Sequence, residues 1–316
     1  MKRKKLMFRP VYLQTYKKGL LSQKIEEAWN ILKECNLCPR NCKVNRLKGE
    51  KGVCHGGLLP MVSSYNPHFG EESPLVGVHG SGTIFLTHCN LRCLFCQNYS
   101  ISHEGEGREI SFERLAEMMI ELQGMGCHNI NFVTPTHYVP QILKALNIAI
   151  EKGLEVPLVY NTGGYDSLKT LKILDGIIDI YMPDFKYADS EVAKKYSHAP
   201  DYPEIAKKAL KEMHNQVGDL VINEKGIAER GLLVRHLVLP HGLAGTQKIM
   251  KFLAQEISKN TYVNIMDQYY PCGEIYSDLY LNRRITMDEY NEAVECAKKE
   301  GIHRLDTRER RILWWI

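Results

Sequence analysis

The sequence predicts an α/β protein with a parallel sheet, preceded by a cysteine-rich and loop-rich extension. Three observations carry this. Short apolar runs alternate with helical periods from Thr83 to Met266. Seven of the ten cysteines fall between residues 35 and 96. Residues 35–82 are rich in Gly, Pro, Asn and His and show no long period. Six βα steps can be counted between 83 and 266, and strands separated by helices of this length pair in parallel through right-handed crossovers. Six steps are too few to close an eight-stranded barrel, which leaves a partial (β/α)6 barrel or an open doubly wound sheet. In both, ligands bind beyond the carboxyl ends of the strands.

Taken in order, Leu21, Ile25, Ala28, Trp29 and Leu32 fall at helical spacing and deliver the chain to Cys35. The stretch 35–82 reads as loop, and a loop of that length needs something other than a core to order it; a metal is the natural candidate. Ile84–Leu86 is a short strand running into Thr87-His88-Cys89. Phe112–Leu122 is helical with Ser111 as its N-cap. Strands follow at Ile130–Val133, Val156–Tyr160, Ile177–Met182, Leu232–Leu239 and Tyr262–Met266. Between and after them come helices at Pro140–Ile150, Ser167–Leu174, Glu191–Tyr196, Tyr202–His214, Gln247–Ile257 and Met287–Lys299. The organisation expected is an extension over 1–82, a barrel over 83–270, and a C-terminal helix and tail over 271–316 that pack on the barrel, with Trp314-Trp315 docking there.

Composition excludes several classes. The 316 residues are 44% hydrophobic, 9% aromatic and 25% charged, values of a globular chain and not of a disordered or collagen-like one. No apolar run approaches the roughly 18–20 residues of a membrane span. The basic start Met1–Lys5 resembles the head of an export signal, but Arg9, Lys17 and Lys18 interrupt the apolar stretch that should follow. A cytoplasmic protein is expected, and the net charge of +4 makes nucleic acid an unexpected partner. In that compartment clustered cysteines point to metal before disulfide.

The first predicted strand leads into Cys89-Asn90-Leu91-Arg92-Cys93-Leu94-Phe95-Cys96, a C-x3-C-x2-C spacing with an aromatic residue before the last cysteine. Iron–sulfur cubanes are normally held by four thiolates. Three on one short loop leave one iron open to an exogenous chelate. Zinc would need a closed tetrahedron, with His88 or His103 as the fourth ligand.

Here the sequence resembles the radical SAM superfamily, and more narrowly the pyruvate formate-lyase activating enzymes and their PflX-like branch. Further supporting strings are Gly82–Leu86, Cys96-Gln97-Asn98, Asn161-Thr162-Gly163-Gly164-Tyr165, Asp184-Phe185-Lys186 and Val234–Pro240. The resemblance covers about residues 35–270 and selects the partial TIM-type barrel. It implies a [4Fe-4S] cluster on Cys89, Cys93 and Cys96 whose open iron chelates S-adenosylmethionine. One electron would cleave the sulfonium to methionine and a 5′-deoxyadenosyl radical, which abstracts hydrogen from a protein or peptide. A small-molecule substrate and a non-catalytic electron carrier are the alternatives. Flavodoxin or ferredoxin is the implied electron donor. Phe95, Thr134, Asn161, Thr162, Asp184 and Arg235 are the implied cofactor-binding residues. The family's Gly-Gly-Glu after the second strand is replaced by Thr134-Pro135-Thr136-His137, so the cofactor's amino contact must be remade there, by the Thr134 hydroxyl or backbone carbonyls.

Cys35, Cys38, Cys42 and Cys54 form a second group, C-x2-C-x3-C-x11-C. Four thiolates make a closed site suited to an auxiliary iron–sulfur cluster or to zinc. Arg40, Lys43, Arg46, Lys48 and Lys51 lie around it. They either offset its negative charge or form a solvated basic face. His236 is expected to be a satisfied core histidine, and Cys272 to have no role.

Overall fold

The computed structural model describes residues 8–306, so the expectations for Met1–Lys5 and Trp314-Trp315 lie outside the described residues. The chain enters through helices α1 (Val11–Lys17) and α2 (Leu20–Asn30), crosses the four-cysteine loop and forms β1 (Met61–His68). A short helix, α3 (Ser73–Val76), leads into β2 (Ser81–Leu86), which ends at the C-x3-C-x2-C loop. Then come β3 (Arg108–Glu109), α4 (Phe112–Gly124), β4 (Ile130–Val133), α5 (Val139–Glu151), β5 (Leu158–Thr162), α6 (Leu168–Leu174) and β6 (Ile180–Pro183). The chain continues through α7 (Ser190–Ser197), α8 (Tyr202–Val217), β7 (Val221–Ile222), β8 (Ala228–Leu237), α9 (Thr246–Phe252), β9 (Tyr262–Met266), α10 (Met287–Lys299) and β10 (Arg304–Leu305).

The sheet order is β10-β9-β8-β6-β5-β4-β2-β1-β3. Along this path every pairing from β2 to β10 is parallel, β1 and β3 add antiparallel at one edge, and β7 pairs antiparallel with β8 off the path. A doubly wound sheet reverses its strand order at a switch point. Among the parallel strands this order never reverses, and β3 and β10 are not paired with each other, so the architecture is an open barrel.

The reading of 35–82 as loop needs correction. It holds the eight-residue β1 and the plug helix α3. The signal for β1 was weak because Ser63, Ser64, Asn66 and Pro67 break the apolar alternation, and the register itself slips between Val62 and Ser64. Strand β8 also begins four residues before the predicted start, and the predicted Gln247–Ile257 helix is α9 followed by a π turn over Leu253–Ile257.

Alternation along the strands sorts two cores. On β4, Ile130 and Phe132 join the main core with Leu115, Met119 and Leu143 of the surrounding helices. The opposite face looks into the barrel bore, where Asn129 donates its Nδ2–H to the carbonyl of Leu75 at 2.9 Å. Leu75 sits with Val159, Ile180, Met182 and Leu233 in a separate apolar cluster. α3 therefore plugs the bore from below, on the side away from the cysteine loop. Leu75 has no exposed surface, and its truncation to alanine would cost about 2–5 kcal/mol.

Candidate active site and metal centres

The loop after β2 brings Cys89, Cys93 and Cys96 together, and each sulfur accepts one hydrogen bond. Cys89 Sγ accepts from the Leu91 N–H at 3.3 Å, Cys93 Sγ from the Ser197 hydroxyl at 3.1 Å, and Cys96 Sγ from the Ser102 hydroxyl at 3.1 Å. Burial, with the neighbouring Cys93, pushes the Cys89 thiol up to about 12. Burial likewise raises Cys93. Thiols held this way become thiolates only when a positive centre is bound, so the donor set suits a cluster whose sulfur ligands are stabilised by outer hydrogen bonds. His88 and Arg92 hold left-handed backbone here, at φ 69° and 54°. Such strain persists where the surroundings impose it and concentrates at functional sites.

Phe95 is buried, its ring edge-on to Tyr187, Tyr196 and Tyr269. It braces the loop from within. Cys272, given no role from sequence, also backs the loop: its thiol donates to the Phe95 carbonyl at 3.2 Å, and the Glu274 N–H donates to Leu94.

Beyond the loop lies a charged layer. Asp184, at the end of β6, accepts from Arg235 Nε at 2.8 Å and from Lys186 Nζ at 2.6 Å. Burial pushes the Asp184 carboxyl up, but the two cations overcome it and hold it below the usual carboxylate range. Arg235 also donates to Asn161 Oδ1 at 2.7 Å. The fold thus brings Asn161, Asp184 and Arg235 together, and Lys186, absent from the predicted set, completes the group. Gly164 is required beside it: at φ +78°, its absent Cβ would lie 2.2 Å from the Asp184 carbonyl oxygen.

Thr162 is not brought to this layer. Because Asn161 faces the bore, alternation turns Thr162 outward, where its hydroxyl donates to Asp166 at 2.7 Å. Thr136 and Tyr160 donate to the same carboxylate. Thr134 stands at the end of β4 with φ 59°, a left-handed conformation that a β-branched residue rarely adopts. Its N–H donates to the Asn161 carbonyl at 2.8 Å. His236 is a satisfied core histidine, bonded to the Phe185 carbonyl and the Thr246 hydroxyl.

The second cysteine group also converges. Cys35, Cys38, Cys42 and Cys54 line one small cavity with Gly52, Arg46 and His137. Burial and the adjacent Cys54 thiol push Cys38 well above the ordinary thiol range. A Cβ on Gly52 would lie 2.8 Å from both Cβ and Sγ of Cys42, so only glycine fits there. Asn41, Lys43 and His55 add three left-handed non-glycine residues to the loop.

Two arginines of this loop behave differently from its lysines. Arg46 is 1% exposed and donates to the carbonyls of His137 and Gly57, while its Nε–H has no partner. No acid neutralises it among the described salt bridges. Arg40 instead grips the neighbouring loop, donating to Asn90, Leu91, Ser197 and His198 carbonyls. His137 links the two groups, its Nε2 lying 3.0 Å from the Thr87 carbonyl. Burial pulls its pKa down to about 3, so the ring is neutral. Among the described residues no three His, Cys, Asp or Glu side chains are grouped to hold a single ion.

Residues 83–223 match the model of the radical SAM superfamily. Over 303 residues the chain is 33% identical to the uncharacterised protein MJ0674 of Methanocaldococcus jannaschii, covering 92% of this chain and 82% of that one. A second protein of that organism, the uncharacterised MJ0808, is 29% identical over 159 residues, 44% of this chain and 46% of its own. Among solved structures, methylornithine synthase (PylB) superimposes with a TM-score of 0.45 at 15% identity, over 69% of this chain and 62% of that one. No helix among the described residues is long and apolar enough to cross a membrane. With its thiol loop at the carboxyl end of the first parallel strand, and alike to MJ0674 over nearly all its length, the chain belongs to the radical SAM superfamily, which implies a [4Fe-4S] cluster and S-adenosylmethionine.

Proposed function

We propose that Cys89, Cys93 and Cys96 hold the [4Fe-4S] cluster, and that the protein uses S-adenosylmethionine to remove a hydrogen atom from its substrate. The observation that carries this is the three-thiol loop, each sulfur hydrogen-bonded, facing the Lys186–Asp184–Arg235 group. When bound, and with one electron delivered by an external donor, the pair would supply reductive cleavage of the sulfonium to methionine and a 5′-deoxyadenosyl radical. The chain's own residues orient and shield. Lys186 and Arg235 offer positive charge to a carboxylate, Asn161 and Asp184 hold Arg235 in place, and Thr134 stands where the amino group would be met. Phe95 keeps the loop rigid and dry.

The second proposal is that the four-cysteine group carries a metal–thiolate centre, an auxiliary [4Fe-4S] cluster in preference to zinc. Four thiolates around either metal give a net negative centre, which fits the buried, acid-free Arg46. The close C-x2-C-x3-C run favours the cluster. Exposed Lys43, Lys48 and Lys51 beside it suit an acidic electron donor of the flavodoxin or ferredoxin kind. A reducing cytoplasm suits so many free thiols.

For the substrate, likeness to the activating enzymes supports a protein or peptide. The charged interior of the bore favours the other reading, a small molecule. The decisive assay uses anaerobically reconstituted protein with dithionite and S-adenosylmethionine. 5′-Deoxyadenosine and methionine should form with wild type and vanish with Cys93→Ala. Iron-loaded wild type that forms neither would overturn the proposal.

A further inference from the structure

The plug segment before β2 sends two acids up into the bore. Glu72 is 2% exposed; its Oε1 accepts from Asn264 Nδ2 at 2.8 Å, and its Oε2 is buried without a partner. Burial raises its pKa. Glu71 lies 3.9 Å from the outer nitrogen of Arg235 and 3.5 Å from His68. Across the bore, Asn131 has no exposed surface, and neither its Oδ1 nor its Nδ2 has a partner. It is register-paired with Val159 of the apolar floor, and Asn264 is register-paired with Arg235. The registers set Asn131 level with the floor, and Asn264, with the Glu72 it bonds, level with Arg235, so these groups span the depth from the floor to the Asp184–Arg235 pair.

The charges do not balance at this level. Three carboxylates, Glu71, Glu72 and Asp184, face two cations, Arg235 and Lys186. Asp184 takes the short contact of each cation, at 2.8 Å and 2.6 Å, while Arg235 reaches Glu71 only at 3.9 Å. The uncompensated acid is on the floor side, and the unpartnered amide of Asn131 is level with that floor. Buried polar groups in folded proteins are satisfied, by protein, water or ligand, and an unpaired buried acid is costly.

We infer that the bore takes a small substrate bearing a protonated nitrogen, which pairs with Glu72 and Glu71 and is hydrogen-bonded by Asn131. This deepens the reading above and rests on it, because the substrate's remaining atoms would lie toward the thiol loop. A polypeptide loop would have to bring its own backbone into a floor closed by Leu75. A protonated amine on a short apolar stem matches both the acids and the floor.

The test is equilibrium binding to reconstituted, unreduced, S-adenosylmethionine-loaded protein, followed by ligand-observed NMR. The probes are methylammonium through butylammonium, with butanol as the neutral counterpart. Saturable binding of at least one amine is expected, with butanol weaker than butylammonium by about tenfold or more. Glu72→Gln should weaken the amine by a similar factor, and Glu72→Asp should keep part of it. Three results would overturn the inference: no amine binds, butanol binds as well as butylammonium, or Glu72→Gln leaves amine binding unchanged. It also falls if Glu72→Gln weakens S-adenosylmethionine itself by the same factor, because the acids would then serve the cofactor. If that variant does not fold, the amine–alcohol comparison on wild type decides. Formation of 5′-deoxyadenosine by wild type is scored separately. Amine binding without it removes only the radical reading, and the converse removes only this one.

Discussion

Arg40, inside the four-cysteine loop, donates its Nε–H to the carbonyl of Asn90 at 2.9 Å, inside the three-cysteine loop. The same guanidinium reaches Leu91 at 3.0 Å and Ser197 at 2.7 Å. Ser197 is also the residue whose hydroxyl donates to Cys93. One side chain thus fixes the backbone between two proposed cluster ligands and the strap that bonds to one of them.

Removing it should loosen the three-cysteine loop without touching a ligand. Arg40→Met is expected to destabilise the fold by about 2–5 kcal/mol, since charge-assisted hydrogen bonds are worth roughly 1.5–3 kcal/mol each and water replaces some of them. S-adenosylmethionine affinity should fall with it. Arg40→Lys should not rescue, because a point ammonium cannot span four carbonyls. Denaturation curves and cofactor titration measure both effects. A lysine variant indistinguishable from wild type would sink the planar-fork account.

For Arg46 the expected loss is at the other centre. Arg46→Met leaves a negative thiolate centre without its buried counter-charge and takes a donor from the carbonyls of His137 and Gly57, the latter still bonded to Gln141. Metal content of the four-cysteine site should drop, read by elemental analysis and Mössbauer spectra against a Cys89→Ala, Cys93→Ala, Cys96→Ala background. If the site carried no negative centre, the same change would remove a buried unpaired cation and stabilise the protein by about 1–4 kcal/mol. The sign of the stability change is therefore diagnostic.

The βα series and the thiol loop were legible because both are local patterns. Apolar runs such as Ile130–Val133 report strands, and three cysteines within eight residues report a ligand loop. The bore chemistry was hidden because its contacts span the chain: Glu72 meets Asn264 across 192 positions. A partial signal was present. Asn131 between Ile130 and Phe132, and Asn264 between Val263 and Ile265, are polar residues in apolar strands, which are informative when buried. The basic residues near Cys42 were visible too, but only packing separates buried Arg46 from exposed Lys43 and Lys48. Thr162 was expected beside Asn161 and instead turns to Asp166, because a one-residue step along β5 reverses the face.

The strained Thr134 separates a conformational demand from a chemical one. Glycine adopts its φ of 59° without penalty. Thr134→Gly should therefore raise stability by about 1 kcal/mol, the cost of left-handed backbone for a side-chain-bearing residue. If the hydroxyl also meets the cofactor, S-adenosylmethionine affinity should drop in the same variant, and Thr134→Ser should keep it. Higher stability with unchanged affinity would leave only the backbone carbonyl as a contact.

The attachment of the N-terminal helices should give the protein a pH dependence of unusual sign. Asp179 accepts from the Val11 N–H at 2.9 Å and the Leu158 N–H at 3.1 Å, joining the start of α1 to β5. Burial lifts its carboxyl to about 7 despite those donors. In the unfolded chain the same group titrates near 4. Between these values the folded protein holds a proton that the unfolded chain has released, so stability is greatest below about pH 4 and declines as pH rises toward 7. The group's maximal slope is about 1.4 kcal/mol per pH unit, and the total is roughly 4 kcal/mol. Glu72 and Asp166 are raised in the same direction, so the slope of wild type alone does not isolate Asp179. The difference from Asp179→Asn does. At pH 4 the variant should be less stable, because its amide accepts at one atom where the carboxyl accepts at two, and the gap should close or invert by pH 8. Hydrogen exchange at the Val11 amide should follow the same course. Parallel stability curves for the two proteins across this range would show that Asp179 does not titrate there.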